Sequence, residues 1–192
     1  MSEDLENLGP LRQLAGVWEG DKGHDHAPSD EPETDRQPVD STFRERISLI
    51  PIGRVDNHEQ KLYGLRYATE AWRLSTGASF HQEAGYWLWD AQSKQVMRCF
   101  VVPRGINVLA GGTVEPDARS FSLSAELGST TYGICSAPFL DRHFKVVRYT
   151  LDVEVHEDGS FSYSEDTVME MPGRAEPFHH TDRNRLTRVE SP

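Results

Sequence analysis

The sequence has few cysteines, fewer basic than acidic residues, and no long apolar run. Its two cysteines are too few for a disulfide framework and are compatible with a reducing compartment. Because no stretch approaches about 18 consecutive apolar residues, we expect no membrane-spanning helix. With 20 Lys and Arg against 31 Asp and Glu, the formal net charge is −11. That charge argues against binding to nucleic acid and to anionic membrane surfaces.

The chain begins with MSEDLENLGP, which is acidic and lacks the apolar core of a secretory signal. Together with the low cysteine content, this start indicates a cytoplasmic protein. Hydrophobic residues make up only 36% of the chain, but they lie in long alternating runs, which excludes a wholly disordered chain. We therefore expect a single domain over residues 1–192 whose partner is a small molecule. The sequence leaves its oligomeric state open.

Alternation of apolar and polar residues predicts about ten strands, most of them joined by short connections. The clearest run is KVVRYTLDVEVH (145–156), in which Tyr149, Leu151 and Val153 share one face. No segment with a helical period is long enough to cover a sheet. An antiparallel up-and-down series of this kind favours a closed β-barrel of the lipocalin or fatty-acid-binding-protein type, because closure removes exposed strand edges. Such a barrel has room for one small ligand. A two-sheet sandwich is the alternative.

One long stretch, DKGHDHAPSDEPETDRQPVD, has no periodicity and is rich in Pro, Asp and Glu. This composition predicts an exposed acidic loop over about residues 21–41. His24 and His26 have the His-x-His spacing found in metal sites, but the sequence names no further ligands for them. A solvated loop is therefore the preferred interpretation.

Three of the histidines lie in strand patterns. His81 opens the aromatic strand HQEAGYWLW (81–89), and the pair His179-His180 opens the last strand, HHTDRNRLTRV (179–189). Alternation places His179 and His180 on opposite faces, so one of them must point into a barrel. A neutral imidazole in an apolar cavity can bind heme iron, although a hydrogen-bonded core histidine is the more common outcome.

Catalytic groups are harder to find. The serines lack a G-x-S-x-G elbow. Glu165 and Asp166 are adjacent in a strand, so they face opposite ways and cannot work as a carboxylate pair. Cys99 alternates within the strand VMRCFVV (96–102) and is interpreted as a small core residue. We therefore assign no catalytic side chain from these patterns.

Several segments together resemble the nitrobindin family, heme-binding β-barrels related in shape to fatty-acid-binding proteins. The resemblance covers roughly residues 9–190. The segments are specific to the family when taken together, whereas no single segment is. Its segments are LAGVWEGDKG (14–23), YATEAWRL (67–74), HQEAGYWLW (81–89), VVPRGINVLAGG (101–112) and HHTDRNRLTRV (179–189). Pro103-Arg104 differs from the family pattern, since a polar side chain over the heme is expected there.

The resemblance implies a ten-stranded barrel with heme b at its mouth. The axial ligand of the iron would be the histidine that maps to His180, or His179 if a bulge shifts the register. His81 would lie close to the porphyrin. Family members are described as binding nitric oxide on ferric iron and isomerising peroxynitrite to nitrate, so the resemblance implies these activities too. The alternative left open is a heme-free barrel that binds an apolar small molecule.

Overall fold

The computed structural model describes residues 3–29 and 36–192, which form a closed all-β barrel with very little helix. Its strands are β1 (Gly16–Pro28), β2 (Pro38–Asn57), β3 (Gln60–Arg73), β4 (Ser79–Asp90), β5 (Gln95–Val102), β6 (Ile106–Thr113), β7 (Ser120–Leu127), β8 (Gly133–Ser136), β9 (Lys145–Val155), β10 (Phe161–Glu170) and β11 (Phe178–Glu190). Short helices are α1 (Glu3–Glu6), a 3₁₀ helix (Gly9–Leu14) and α2 (Pro138–His143). Within this described part of the chain, no helix is long and apolar enough to cross a membrane.

The strands follow the order β1-β11-β10-β9-β7-β8-β6-β5-β4-β3-β2 around the barrel, and β1 pairs with both β2 and β11 to close it. All pairs are antiparallel except β7 with β8. The predicted antiparallel barrel of about ten strands is confirmed. The additional short strand is β8, in a stretch of sequence where alternation breaks down.

The predicted loop over residues 21–41 is wrong at both ends. β1 continues to Pro28 and β2 begins at Pro38, and their backbones pair from Gly23–Phe43 out to Pro28–Pro38. Residues 30–35 lie outside the described residues. The strand was missed because its inward positions Gly23, Asp25 and Ala27 include no large apolar side chain, so backbone pairing rather than an apolar face defines it.

The 3₁₀ helix packs across one end of the barrel. Leu11 and Leu14 are fully buried there, and the Trp18 indole donates a hydrogen bond of 2.8 Å to the Leu14 carbonyl oxygen. Gly9 has φ of 53° and lies so close to Trp89 that a Cβ would be 2.5 Å from its indole ring, so only glycine fits. Because the helix covers this end, we take the opposite end as the entrance for a ligand. We call that end the mouth; the β1–β2, β3–β4, β5–β6 and β10–β11 connections lie there.

Candidate functional site

The barrel encloses a cavity of about 460 Å³, within the range typical of small-molecule sites. Near the mouth its wall is mainly apolar. The apolar residues of this wall are Ala27, Pro28, Phe80, Val102, Ile106, Leu140, Phe144, Val146 and Met169. Both histidines predicted as site residues, His81 and His180, also line this cavity.

His180 lies on the inward face of β11 and is bonded to a buried carboxylate. Its Nε2 is 2.8 Å from Oδ1 of Asp25, and Arg73 donates a hydrogen bond of 2.5 Å to Oδ2 of the same side chain. Burial alone would raise the pKa of Asp25, but the bonds and charges of His180 and Arg73 lower it below the ordinary value. Asp25 is therefore a stable anion. The His180 side chain is 32% exposed, so its ring remains accessible from the cavity.

His179 lies on the outer face. Its Nδ1 is 2.8 Å from Oδ2 of Asp166, and its side chain is 55% exposed. The pairing of β10 with β11 runs in continuous register from Phe161–Leu186 to Met169–Phe178. Because this stretch contains no bulge, His180 and not His179 is presented to the cavity.

His81, on β4, has the same arrangement as His180. Its Nε2 is 3.1 Å from Oε1 of Glu83, and Arg98 donates a hydrogen bond of 2.5 Å to the other oxygen of Glu83. Burial would raise the pKa of Glu83, but the charge of Arg98 and the bond from His81 lower it to about 2. Burial lowers the pKa of His81, yet the bond and charge of Glu83 outweigh it, so the net shift is upward. Each cavity imidazole is thus held by a carboxylate that an arginine in turn neutralises.

The middle of the cavity is not apolar, and the expectation of an apolar interior around the imidazole is wrong at this depth. Arg98 is 3% exposed and donates hydrogen bonds to Glu83, Glu165, Tyr67 and Tyr149. Tyr67 and Tyr149 in turn donate to Glu83 and Glu165, each at 2.6 Å. A buried arginine is tolerated here because its charge is balanced by two carboxylates.

A second polar cluster lies beside the first. Glu45 accepts hydrogen bonds from Thr69 at 2.9 Å, Tyr163 at 2.9 Å and Asn184 at 3.2 Å, all neutral donors. Burial therefore raises the pKa of Glu45. Asp182 also lines the cavity, and burial together with the neighbouring carboxylates raises its pKa well above the ordinary value. The cavity floor thus carries an excess of acidic groups.

The remaining sequence candidates lie outside the cavity. His24 is exposed, and His26 is bonded to Asp40 at 2.8 Å across the β1–β2 pair. The described residues contain no group of three or more His, Cys, Asp or Glu side chains that could hold a metal ion. Cys99 faces outward and is half-buried, so its interpretation as a core residue is wrong.

Sequence reasoning missed Arg98, on which the polar cavity depends. Arg98 shares a strand face with Val96 and Phe100, while the opposite face of β5 carries Met97 and Cys99. Since both faces are largely apolar, alternation does not show which one is inside. Carboxylates within otherwise apolar strand faces, such as Glu165 beside Phe161 and Tyr163, could have indicated it. A buried carboxylate requires a buried partner, so such carboxylates predict a buried cation.

Comparison with known proteins adds three findings. The model of the THAP4-like, heme-binding β-barrel domain family matches residues 7–188. The crystal structure of Rv2717c from M. tuberculosis superposes with a TM-score of 0.66 and covers 98% of each chain at 20% sequence identity, a likeness that shows the fold alone. No curated protein matches the sequence significantly.

Proposed function

The chain belongs to the family of THAP4-like heme-binding β-barrel domains, and from that premise we propose that it binds heme b at the barrel mouth, with His180 as the axial ligand of the iron. The family membership also confirms the resemblance to the nitrobindins. The observation that carries the proposal is the position of His180. It is the member of the His179-His180 pair whose imidazole lines the cavity.

The residues at the mouth fit this group. One imidazole is enough to hold heme iron, and the apolar wall suits the faces of a porphyrin. Coordination through Nε2 requires that atom to leave Asp25, to which it is bonded at 2.8 Å. Arg73 remains as the ion-pair partner of Asp25, so the buried carboxylate keeps its counter-charge.

We extend the proposal to nitric oxide binding and to isomerisation of peroxynitrite to nitrate. Ferric heme would supply the reactive centre for both when bound. The chain's own contribution is His81, which Glu83 holds in place and whose raised pKa keeps more of it protonated near neutral pH. A protonated imidazole facing the cavity can donate a hydrogen bond to an anionic oxygen. Phe80 and Val102 line the same cavity and supply an apolar wall near that imidazole.

Titration with hemin, followed by the Soret absorption band, tests the proposal. We expect the parent protein to shift the band, His180→Ala to abolish the shift, and His81→Ala to retain binding with an altered spectrum. His179→Ala is the matched control, because the adjacent imidazole lies outside, and it should bind as the parent does. Failure of the parent to shift the band, or loss of binding in His179→Ala alone, contradicts the assignment.

A heme-free barrel is the second candidate, and the bond between His180 Nε2 and Asp25 favours it, because that nitrogen already has a partner. The polar middle of the cavity changes the class of ligand expected. Instead of a wholly apolar molecule, it favours one with an apolar body and polar groups.

A further inference from the structure

Two arginines converge on one aromatic ring at the mouth. The guanidinium carbon of Arg36 is 4.1 Å from the centroid of the Phe144 ring, and that of Arg104 is 5.4 Å from it. Arg36 precedes β2, Arg104 lies in the β5–β6 turn, and Phe144 follows α2, so three separate connections meet here. Phe144 and Arg104 both line the cavity. The arrangement therefore places the positive charge of Arg104 at the cavity wall and that of Arg36 beside it, on the same ring.

These two guanidinium groups differ from Arg73 and Arg98 inside the cavity. Arg73 is paired with Asp25, and Arg98 with Glu83 and Glu165. Within residues 3–29 and 36–192, by contrast, no carboxylate forms an ion pair with Arg36 or Arg104. The Nη1 atom of Arg36 is buried and finds no acceptor among the described residues. A buried donor without an acceptor is costly, and a ligand oxygen would satisfy it.

Each guanidinium carbon lies over the Phe144 ring, and this contact uses none of the N–H donors. The N–H donors of an arginine match the paired oxygens of a carboxylate, to which they can donate two parallel hydrogen bonds. The aromatic ring also fixes both side chains, so less conformational freedom is lost on binding. Geometry and charge are thus both suited to a carboxylate.

The other end of the cavity disfavours such a group. Glu45, Glu165 and Asp182 lie deeper in the cavity, and Glu45 has no cationic partner among the described residues. Burial raises the pKa of Glu45 and so disfavours its ionised form, and a ligand carboxylate placed beside it would meet the same cost. The cavity therefore distinguishes the two ends of a ligand, and an anionic end is more stable at the mouth.

We propose that Arg36 and Arg104, both in contact with Phe144, form a carboxylate-binding subsite at the mouth, so that the ligand is an amphipathic acid held with its apolar body inside the barrel. Heme, which carries two carboxylates, and a long-chain fatty acid share this chemistry. The inference rests on the proposed function in one respect only, that a small molecule enters this cavity. It assigns the specificity for the acid group to residues other than His180.

Two pairs of probes test the subsite. The first pair is hemin and its dimethyl ester, and the second is dansylaminoundecanoic acid and its methyl ester. Each ester keeps the apolar body and lacks the free carboxylate. The variants are Arg36→Gln, Arg104→Gln and their combination. Arg44→Gln is the matched control, since its guanidinium carbon lies 4.2 Å over the Trp72 ring on the outer face.

We expect the parent to bind at least one acid more tightly than its ester, and the double variant to lose about ten- to a hundredfold affinity for that acid while binding the ester unchanged. Arg44→Gln should bind all probes as the parent does. Equal affinity for acid and ester in the parent, unchanged acid binding in the double variant, or no binding of any probe overturns the inference.

The two acids separate this inference from heme binding. Arginine-dependent binding of the dansyl acid without a Soret shift for hemin would leave the subsite standing and reject the heme proposal. Equal, arginine-independent binding of hemin and its ester, with equal binding of the dansyl pair, would support the heme proposal and reject the subsite. Thermal unfolding followed by circular dichroism confirms that each variant is folded.

Discussion

The Nε2 atom of His180 lies 2.8 Å from Oδ1 of Asp25, so the nitrogen suited to bind iron is also the one that this carboxylate holds. His81 has the same relation to Glu83 at 3.1 Å. In both cases an arginine, Arg73 or Arg98, holds the other carboxylate oxygen. The two imidazoles are therefore oriented before any ligand enters, and at His180 the carboxylate would compete with the proposed heme iron for one atom.

This competition makes Asp25→Asn an informative change. The amide is a weaker partner for Nε2 than the carboxylate, and replacing a charge-assisted hydrogen bond by a neutral one is worth about 1 kcal/mol. We therefore expect hemin affinity to rise by about fivefold in Asp25→Asn, measured by Soret titration.

The matched control is Asp166→Asn, because Asp166 holds the neighbouring His179 on the outer face at 2.8 Å. It should leave hemin affinity unchanged. A decrease in affinity for Asp25→Asn would show instead that Asp25 supports the ligand rather than competing for it.

Alternation of apolar and polar residues predicted the barrel because most strands have an apolar inward face and a polar outward face. In β9, for example, Tyr149, Leu151 and Val153 are all buried. It also predicted that His179 and His180 face opposite ways. It failed where the inward face is polar or small. In β1, Asp25 points inward from a segment whose composition is that of a loop, and no periodicity marks it.

The polar centre of the cavity could not be predicted strand by strand. Arg98 and its partners Glu83 and Glu165 lie on β5, β4 and β10, and only the closed barrel brings β10 opposite the other two. Because Glu83 and Glu165 are distant from Arg98 in the sequence, no local sequence pattern predicts that they pair with it. Such groups become recognisable only when each buried charge is required to have a counter-charge.

The Glu83–Arg98 pair predicts how stability depends on pH. The folded pKa of Glu83 is about 2, against an ordinary value of 4.5. Because this pKa is lowered in the folded state, the stabilisation is present above pH 4.5 and is lost as the pH falls toward about 2. This stabilisation amounts to about 3 kcal/mol, because a difference of one pKa unit corresponds to about 1.4 kcal/mol.

Urea unfolding of the parent and of Glu83→Gln between pH 2 and pH 7 checks this expectation. The variant should be less stable by about 3 kcal/mol at pH 7, and the difference should shrink toward zero near pH 2. Glu115→Gln, which removes the exposed ion pair with Lys94, is the control and should cost no more than about 1 kcal/mol. A difference for Glu83→Gln that does not change with pH would reject the assigned pKa.

Glu45 predicts a change of the opposite sign. Burial raises its pKa in the folded state, so its ionised form, which is the stable form of the unfolded chain at pH 7, is disfavoured in the barrel. Glu45→Gln removes this cost and keeps the shape of the side chain. The carbonyl oxygen of glutamine can still accept from Tyr163 and Asn184, while the Thr69 hydroxyl can accept from its amide. We therefore expect the free energy of unfolding at pH 7 to rise by about 1 kcal/mol.

The same urea measurements should show this gain disappearing as the pH falls below 4.5, where both states of the parent become protonated at Glu45. Glu45→Ala separates charge from hydrogen bonding, because it leaves Thr69, Tyr163 and Asn184 without their acceptor and should lower stability. Glu126→Gln, on the outer face of β7, should change little. Destabilisation by Glu45→Gln at pH 7 would mean that the three neutral donors bind the carboxylate strongly enough to outweigh its burial.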